Sequence, residues 1–388
     1  MLPWTPCARP RVWRCDRVMA PAVGTEPSGP RDHDDILWFM GQSGRFERYS
    51  RQILHGAIGQ QGQERISGSS VAIVGCGALG SVSSALLARA GVGRMRIVDR
   101  DFVDTTNLQR QMLFDEDDVR EMRPKAIAAA EKLSRANSEI VIEGVVADVN
   151  PDTVVDLVKD VSLIVDGTDN FETRFLINDV SIRHGIPWIY AACLSSYGLT
   201  MNILPGETAC LRCVMDTAPP PGSVPTCDTA GILGPVVSLI AGLQCSEALK
   251  YLSGNVEAMS RHLVSIDAWT QVMTRLAVPR SGGKRRCEAC DGLQFDYLAG
   301  RGSRSVTLCG RNAVQVAPEA GAQVNLAELA ARLPPELGAR ATPFLIRFSV
   351  RHNHEELSVS VFTDGRSIVT GTVDPAVARS IVARYVGV

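Results

Sequence analysis

The chain has almost no excess charge: 40 basic against 42 acidic residues leave a formal net charge of −2. That removes the electrostatic argument for a nucleic-acid or anionic-membrane partner. It also lacks a long apolar run. The longest, residues 230–243, contains Pro235 and Ser238 and is shorter than the roughly 20 residues a spanning helix needs. No segment reads as a signal peptide, and the eleven cysteines are an odd number scattered through a long chain. Together these predict free thiols and metal ligands in a reducing, cytoplasmic compartment. What is present is an ordinary apolar content of 45% over 388 residues, enough for two or three domains, each with its own core.

The most informative stretch is SVAIVGCGALG, residues 70–80. Residues 71–74 form an apolar run of the kind buried on both faces of a sheet. They lead into Gly75-Cys76-Gly77-Ala78-Leu79-Gly80 and then the small-residue helical pattern SVSSALLARAG. Gly75 is expected to make the tight turn, Gly77 to let a phosphate approach the backbone, and Gly80 to let the helix sit close on the strand. The next apolar run, 95–98, ends in Asp99, nineteen residues past Gly80, where an acid can bind a ribose hydroxyl. Strand, glycine turn, helix and acid in this order predict an adenine-nucleotide site.

Around this centre, residues 1–43 mix Pro, Arg, Gly and Asp without period and read as a disordered tail, with Met19 and Met40 as alternative starts. The segment RYSRQI (48–53) reads as a solvated surface helix. After Asp99 comes a polar connection, RDFVDTTNLQRQ (100–111), and then Arg123-Pro124-Lys125 opens the helix AIAAAEKLSRA. A cation at a helix N-terminus is unfavourable unless an anion lies nearby, so Lys125 points to a phosphate. A strand over 140–146, a helix over 153–159 and a strand over 161–165 follow, the last leading to Asp166-Gly167-Thr168-Asp169-Asn170. Ligands sit beyond the carboxyl ends of such strands. One of the two acids is a candidate for Mg²⁺, with capping of the helix FETRFLINDVSIRHG as the alternative.

Farther on, 188–192 and 199–204 read as strands. Cys210 and Cys213 form one CxxC pair and Cys287 and Cys290 another. Two such pairs predict a tetrahedral zinc site that staples the end of this domain to its middle; a redox role is disfavoured because neither pair is expected to open a helix after a strand. Between them lie a proline-rich loop, 219–227, ending in Cys227, and an apolar core helix over 232–252. From residue 301 the pattern becomes a small α+β unit: strands over 305–309, 313–317, 344–350 and 357–362, helices over 326–333 and 375–385, and a turn at Asp364-Gly365. It contains no cysteine-centred anion loop closed by an arginine, and Cys309 reads as a buried strand residue.

RYSRQ, GCGALG, Asp99, NLQRQ (107–111), RPK (123–125) and GTDN (167–170) together resemble the ThiF/MoeB/HesA family, bacterial relatives of the ubiquitin-activating E1 adenylation domain. The resemblance covers about residues 45–292. It implies an α/β, Rossmann-like doubly wound adenylation domain over 44–295, followed by the small α+β domain over 301–388. By resemblance, Asp99 binds the ATP ribose, with Gly75, Gly77, Ala78, Gly80, Asp101, Gln109 and Asn170 around the nucleotide. Asn107, Arg110 and Lys125 surround the phosphates and Asp169 binds Mg²⁺. Arg51 reaches the γ-phosphate of a neighbouring subunit's ATP, which implies a homodimer. Ala78 replaces a glycine found in many members, a small change in how closely backbone and phosphate meet.

The implied partner is a small ubiquitin-like sulfur carrier ending in Gly-Gly, with a sulfur donor as a further partner and thiamine, molybdopterin, cysteine and thio-tRNA pathways all open. Its terminal carboxylate attacks the α-phosphate of ATP. A C-terminal carboxyl has a pKa near about 3.5, so it is a nucleophile at neutral pH without a general base. This suits a chain whose six histidines all fall outside these motifs. Positioning and charge neutralisation by Arg51, Arg110, Lys125 and the metal are what the step requires. Cys227 matches the position where the family carries a cysteine that joins the later sulfur chemistry, although MoeB-type relatives adenylate without it. The competing readings are a NAD-dependent oxidoreductase, which NLQRQ and the cysteine pairs oppose, and a catalytically silent scaffold, opposed by the filled phosphate positions.

Overall fold

The computed structural model describes residues 46–220, 223–283, 286–301, 307–308, 312–316, 323–353 and 355–387. The expected tail over 1–43, the starts at Met19 and Met40, and Cys309 lie outside the described residues. Ser70–Val74 (β1), Arg94–Asp99 (β2), Val141–Val146 (β3), Leu163–Asp166 (β4) and Trp188–Leu194 (β5) are parallel strands in the order β3-β2-β1-β4-β5. Parallel strands in this order, joined by helices, form a doubly wound α/β sheet. Tyr197–Ile203 (β6), His262–Asp267 (β7) and Val272–Ala277 (β8) extend the same sheet antiparallel. β7 and β8 were not anticipated. Every residue of β8 is exposed, so this edge strand lacks the buried alternation that marks a strand in sequence.

The parallel strands are covered on both faces, as their near-continuous apolar sequence requires. One core joins Ile73, Met95 and Ile97 to Leu87, Ala129 and Cys245 on the helices Ala78–Ala90, Lys125–Ala136 and Gly234–Ser253. The other joins Val74, Ile164 and Trp188 to Phe175 and Val180 on the helix Phe171–His184. None of the described helices is long and apolar enough to cross a membrane. The segment expected as a solvated helix is partly core: Tyr49 is buried, accepts a hydrogen bond from Asn137 Nδ2 at 2.8 Å, and lies where a side chain on Gly91 would otherwise go.

A second, antiparallel sheet is built from Thr307–Leu308 (β9), Ala313–Val316 (β10), Arg340–Ala341 (β11), Leu345–His352 (β12), Glu355–Phe362 (β13) and Ser367–Thr370 (β14), in the order β11-β12-β13-β14-β10-β9. β14 was missed because the expected turn at Asp364-Gly365 opens onto only four residues, too short to show a period. Alternation sorts this sheet cleanly into two faces. Ile346, Phe348, Val359 and Val369 face the helices Leu326–Arg332 and Pro375–Tyr385. Leu345, Phe362, Ala313 and Ile368 face the other way, onto Met122 and Phe102 of the first domain.

Candidate functional site

The glycine turn follows from backbone geometry. Gly75 has φ of 88°, in the left-handed region that favours glycine. A Cβ on Gly80 would lie 1.8 Å from the Gly75 carbonyl oxygen, and one on Gly167 would lie 2.1 Å from the same oxygen. Helix, turn and the β4 loop therefore meet backbone to backbone. Gly77 caps the helix Ala78–Ala90, and a Cβ there would meet nothing nearer than Gln111 Nε2 and Gly167 O at 3.9 Å, so room remains beside the Gly77 backbone. Asp99, at the end of β2, accepts hydrogen bonds from Cys76 N at 2.6 Å and Asp101 N at 2.7 Å. Burial pushes the Asp99 carboxyl above the usual carboxylate range, and the Lys125 charge opposes that. Burial likewise pushes the Cys76 thiol up, so it stays protonated.

The polar connection is folded back on itself. Phe102 pairs with Pro124 in an antiparallel bridge, Val103 N donates to Arg123 O, and Lys125 N donates to Asp101 O. This brings together two predicted residues: Lys125, the first residue of its helix and only 3% exposed, lies with Nζ 3.4 Å from Asp101 Oδ2. Asp104 then caps the turn Thr105–Asn107, accepting from Thr106 N while Asn107 Oδ1 accepts from Asp104 N. Arg110 Nη1 donates back to Thr106 O at 2.8 Å, which leaves the half-exposed guanidinium anchored at one nitrogen. Gln109 is exposed beside the start of the helix Gly234–Ser253.

At the end of β4 the two acids part company. Asp166 is the last residue of the strand, fully buried, with Oδ1 accepting from Thr168 N and Oγ1 and Oδ2 lying 3.4 Å from Arg174 Nε. It is structural and closed to a metal. Asp169 is exposed. The helix that follows is capped by Asn170, which accepts from Thr173 N at 2.8 Å, so the alternative of an aspartate cap is corrected. Sequence reading missed Arg174. It is buried against Phe171 and Tyr190 and donates to Thr168 O and Ala191 O, tying the ends of β4 and β5 together. Its one visible signal is an arginine set directly against the apolar run Phe175-Leu176-Ile177 of that helix.

Cys227 opens the short helix Cys227–Ala230, half-buried, with Sγ donating to the Cys193 carbonyl at 3.5 Å. Cys193 lies near the carboxyl end of β5, so the loop bearing Cys227 shares one edge of the sheet with the glycine turn, Asp99 and Asp169. Burial pushes the Cys193 thiol up to about 12. Arg51 is exposed on the helix Ser50–Ile53 and is not among the side chains these contacts bring together.

Cys210, Cys213, Cys287 and Cys290 place their sulfurs within 4.8 Å of one another. The separations 210–213, 210–287 and 213–290 are 3.8, 3.7 and 3.5 Å. A tetrahedron of thiolates at about 2.3 Å from zinc has edges of about 3.8 Å, so the four-cysteine group can bind that ion. Ser281 N donates to Cys213 Sγ at 3.2 Å, and Asp291 Oδ2 accepts from Cys287 N at 2.8 Å. The hydrogen bond with Cys210 holds the Cys213 thiol below the usual range, while the same bond pushes the Cys210 thiol up and burial pushes that of Cys290 up to about 12. Cys210 caps a short helix, Leu211–Val214, but residues 204–209 separate it from β6, so it does not open a helix directly after a strand.

A model of the ThiF family matches residues 49–289. The sulfur carrier protein ThiS adenylyltransferase of Bacillus subtilis is 41% identical over 342 residues, covering 88% of this chain and 99% of the relative. An alignment of that length reaches well past residue 289, so this relative shares sequence with the second sheet. The sulfur carrier protein adenylyltransferase of Thermus thermophilus is 35% identical over 249 residues, covering 63% of this chain and 90% of that one. Among solved structures, E. coli MccB + ATP superposes with a TM-score of 0.55 at 25% identity, covering 62% of this chain and 74% of that chain.

Proposed function

This chain belongs to the ThiF family, and we propose that it is an ATP-dependent adenylyltransferase for the C-terminal glycine carboxylate of a ubiquitin-like sulfur carrier. The observation that carries this reading is the gathering of the glycine turn, Asp99, Asp169 and the Cys227 loop on one carboxyl edge of the parallel strands, where α/β sheets bind their ligands. A carrier carboxylate oxygen forms the new bond to the α-phosphorus, and the bond to the bridging oxygen breaks to release pyrophosphate. The open N–H groups behind Gly77 receive phosphate at a helix N-terminus. Asp99, already fixed by two backbone donors, presents its remaining lone pairs to the ribose. Lys125, held by Asp101, and Arg110, anchored on Thr106 O, neutralise charge on the phosphates, and Asn107, set by the Asp104 cap, offers its amide as a hydrogen-bond donor. The exposed Asp169 carboxylate suits Mg²⁺, which is bound by one or two carboxylates together with substrate phosphates; the ion supplies charge neutralisation on the pyrophosphate.

Arg51, exposed near the N-terminal end of the described chain, is assigned to the nucleotide of a second copy, which makes the working form a homodimer. No disulfide joins any of the eight described cysteines, which suits a reducing cytoplasm. Incubation with ATP and a Gly-Gly carrier is expected to give carrier adenylate and pyrophosphate, read by mass spectrometry; a failure with every such carrier contradicts the proposal.

Cys227 is assigned to the step after adenylation. Its sulfur attacks the acyl-adenylate carbonyl, forming a C–S bond as the C–O bond to AMP breaks, or takes part in delivering sulfur. Cys227→Ala is expected to preserve ATP–pyrophosphate exchange and to lose the thiol-labile carrier adduct or the thiocarboxylate product. A complete thiocarboxylation cycle at the unmutated rate removes Cys227 from the chemistry.

A further inference from the structure

The second sheet touches the first domain at the segment assigned to the phosphates. Arg347 of β12 places its guanidinium 4.0 Å from the centroid of the Phe102 ring. It belongs to the face of β12 that points away from the helices, and its Nε donates to Ser360 Oγ, its register partner on β13, at 3.2 Å. Phe102 lies between Asp101, the Lys125 partner, and Val103, in the ladder that holds Lys125. The Arg347 charge also acts on Asp104, the residue that caps the turn carrying Asn107. Met122, on the other arm of the ladder, packs against Leu345 and Phe362, and Arg340 Nη2 donates to Arg120 O.

We infer that the second sheet clamps the 101–125 segment and that Arg347 is a positioning residue for ATP, acting through Phe102 and Asp104 on Lys125 and Asn107. This rests on the proposed phosphate role of that segment. A planar cation seated on the Phe102 ring braces the loop from the side of the second sheet. The ladder without that clamp keeps its backbone bonds but loses the support that orders the ring and the cap, and ordering must then be supplied by ATP itself, which weakens its binding.

The test uses the full chain and steady-state ATP–pyrophosphate exchange, with Arg110→Ala as the reference for direct phosphate contact. Arg347→Leu is expected to raise the KM for ATP about 5- to 20-fold, in line with a partly desolvated cation–π contact, with kcat and the carrier KM unchanged. Arg347→Lys, which keeps a cation over the ring, is expected to recover most of that loss. Phe102→Leu is expected to reproduce it, and the double variant to be no worse than the worse single one, because both remove the same contact. The clamp is overturned if Arg347→Leu leaves the ATP KM unchanged while Arg110→Ala raises it. It is equally overturned if Arg347→Leu and Phe102→Leu add, or if KM for both substrates and kcat worsen together with thermal stability. If Arg110→Ala leaves both the ATP KM and the exchange rate unchanged, the phosphate assignment itself falls, and the clamp with it.

Discussion

Arg110→Ala and Asp169→Ala each lower carrier-dependent ATP–pyrophosphate exchange by about 10²- to 10³-fold, the usual effect of removing one preorganised charge stabiliser from a polar transition state. The fold survives both changes. The Arg110 guanidinium is half-exposed and makes its hydrogen bond within its own turn, to Thr106 O. Asp169 is exposed, whereas the structural burden at the end of β4 falls on Asp166, Thr168 and Arg174. The contrast is itself a check. Asp166→Ala leaves the buried Arg174 cation without its carboxylate, a loss of about 3–5 kcal/mol in stability, so it reduces folded protein as well as exchange. Thermal melts beside exchange rates separate the two behaviours. Near-normal exchange in a well-folded Arg110→Ala or Asp169→Ala removes that residue from the phosphate and metal assignment.

Replacing one metal ligand, as in Cys287→Ser, lowers the melting temperature by about 10 °C or more and alters the ATP KM little. The size follows from what the site joins. Cys210 and Cys287 are buried in the same core as Trp188 and Phe175, yet they lie 77 residues apart in the chain. Structural zinc contributes apparent binding free energies on the order of 10 kcal/mol to small domains, and a loss of even about a third of that is on the order of 10 °C in a domain of this size. Freshly purified protein contains one zinc per chain by metal analysis. Protein without zinc, or a Cys287→Ser variant that melts at the unmutated temperature, contradicts the metal assignment.

The parts of this fold that were legible in sequence are those in which two independent signals coincide. The glycine turn combined a doubly buried apolar strand with glycines that later prove to be forced by backbone approaches of 1.8 and 2.1 Å. The cysteine pairs combined residue type with spacing. Asp166 and Asp169 were indistinguishable, because the difference between them is made by Arg174, whose burial depends on Tyr190 and Phe171 packed around it. β8 was illegible because an edge strand with all its residues exposed carries no alternation. The contact of Arg347 with Phe102 joins positions far apart in sequence, one on the second sheet and one in the connection that follows β2, and no local period reports such a pairing.

The central claim is that a free carrier carboxylate attacks ATP at this site. The most direct measurement is isotope exchange between pyrophosphate and ATP, with a Gly-Gly carrier offered first with its free C-terminal carboxylate and then as the C-terminal amide. The account predicts exchange with the free acid and none with the amide or without carrier. Exchange that is indifferent to the carrier terminus, or a hydride-transfer absorbance change with NAD in place of any exchange, contradicts it.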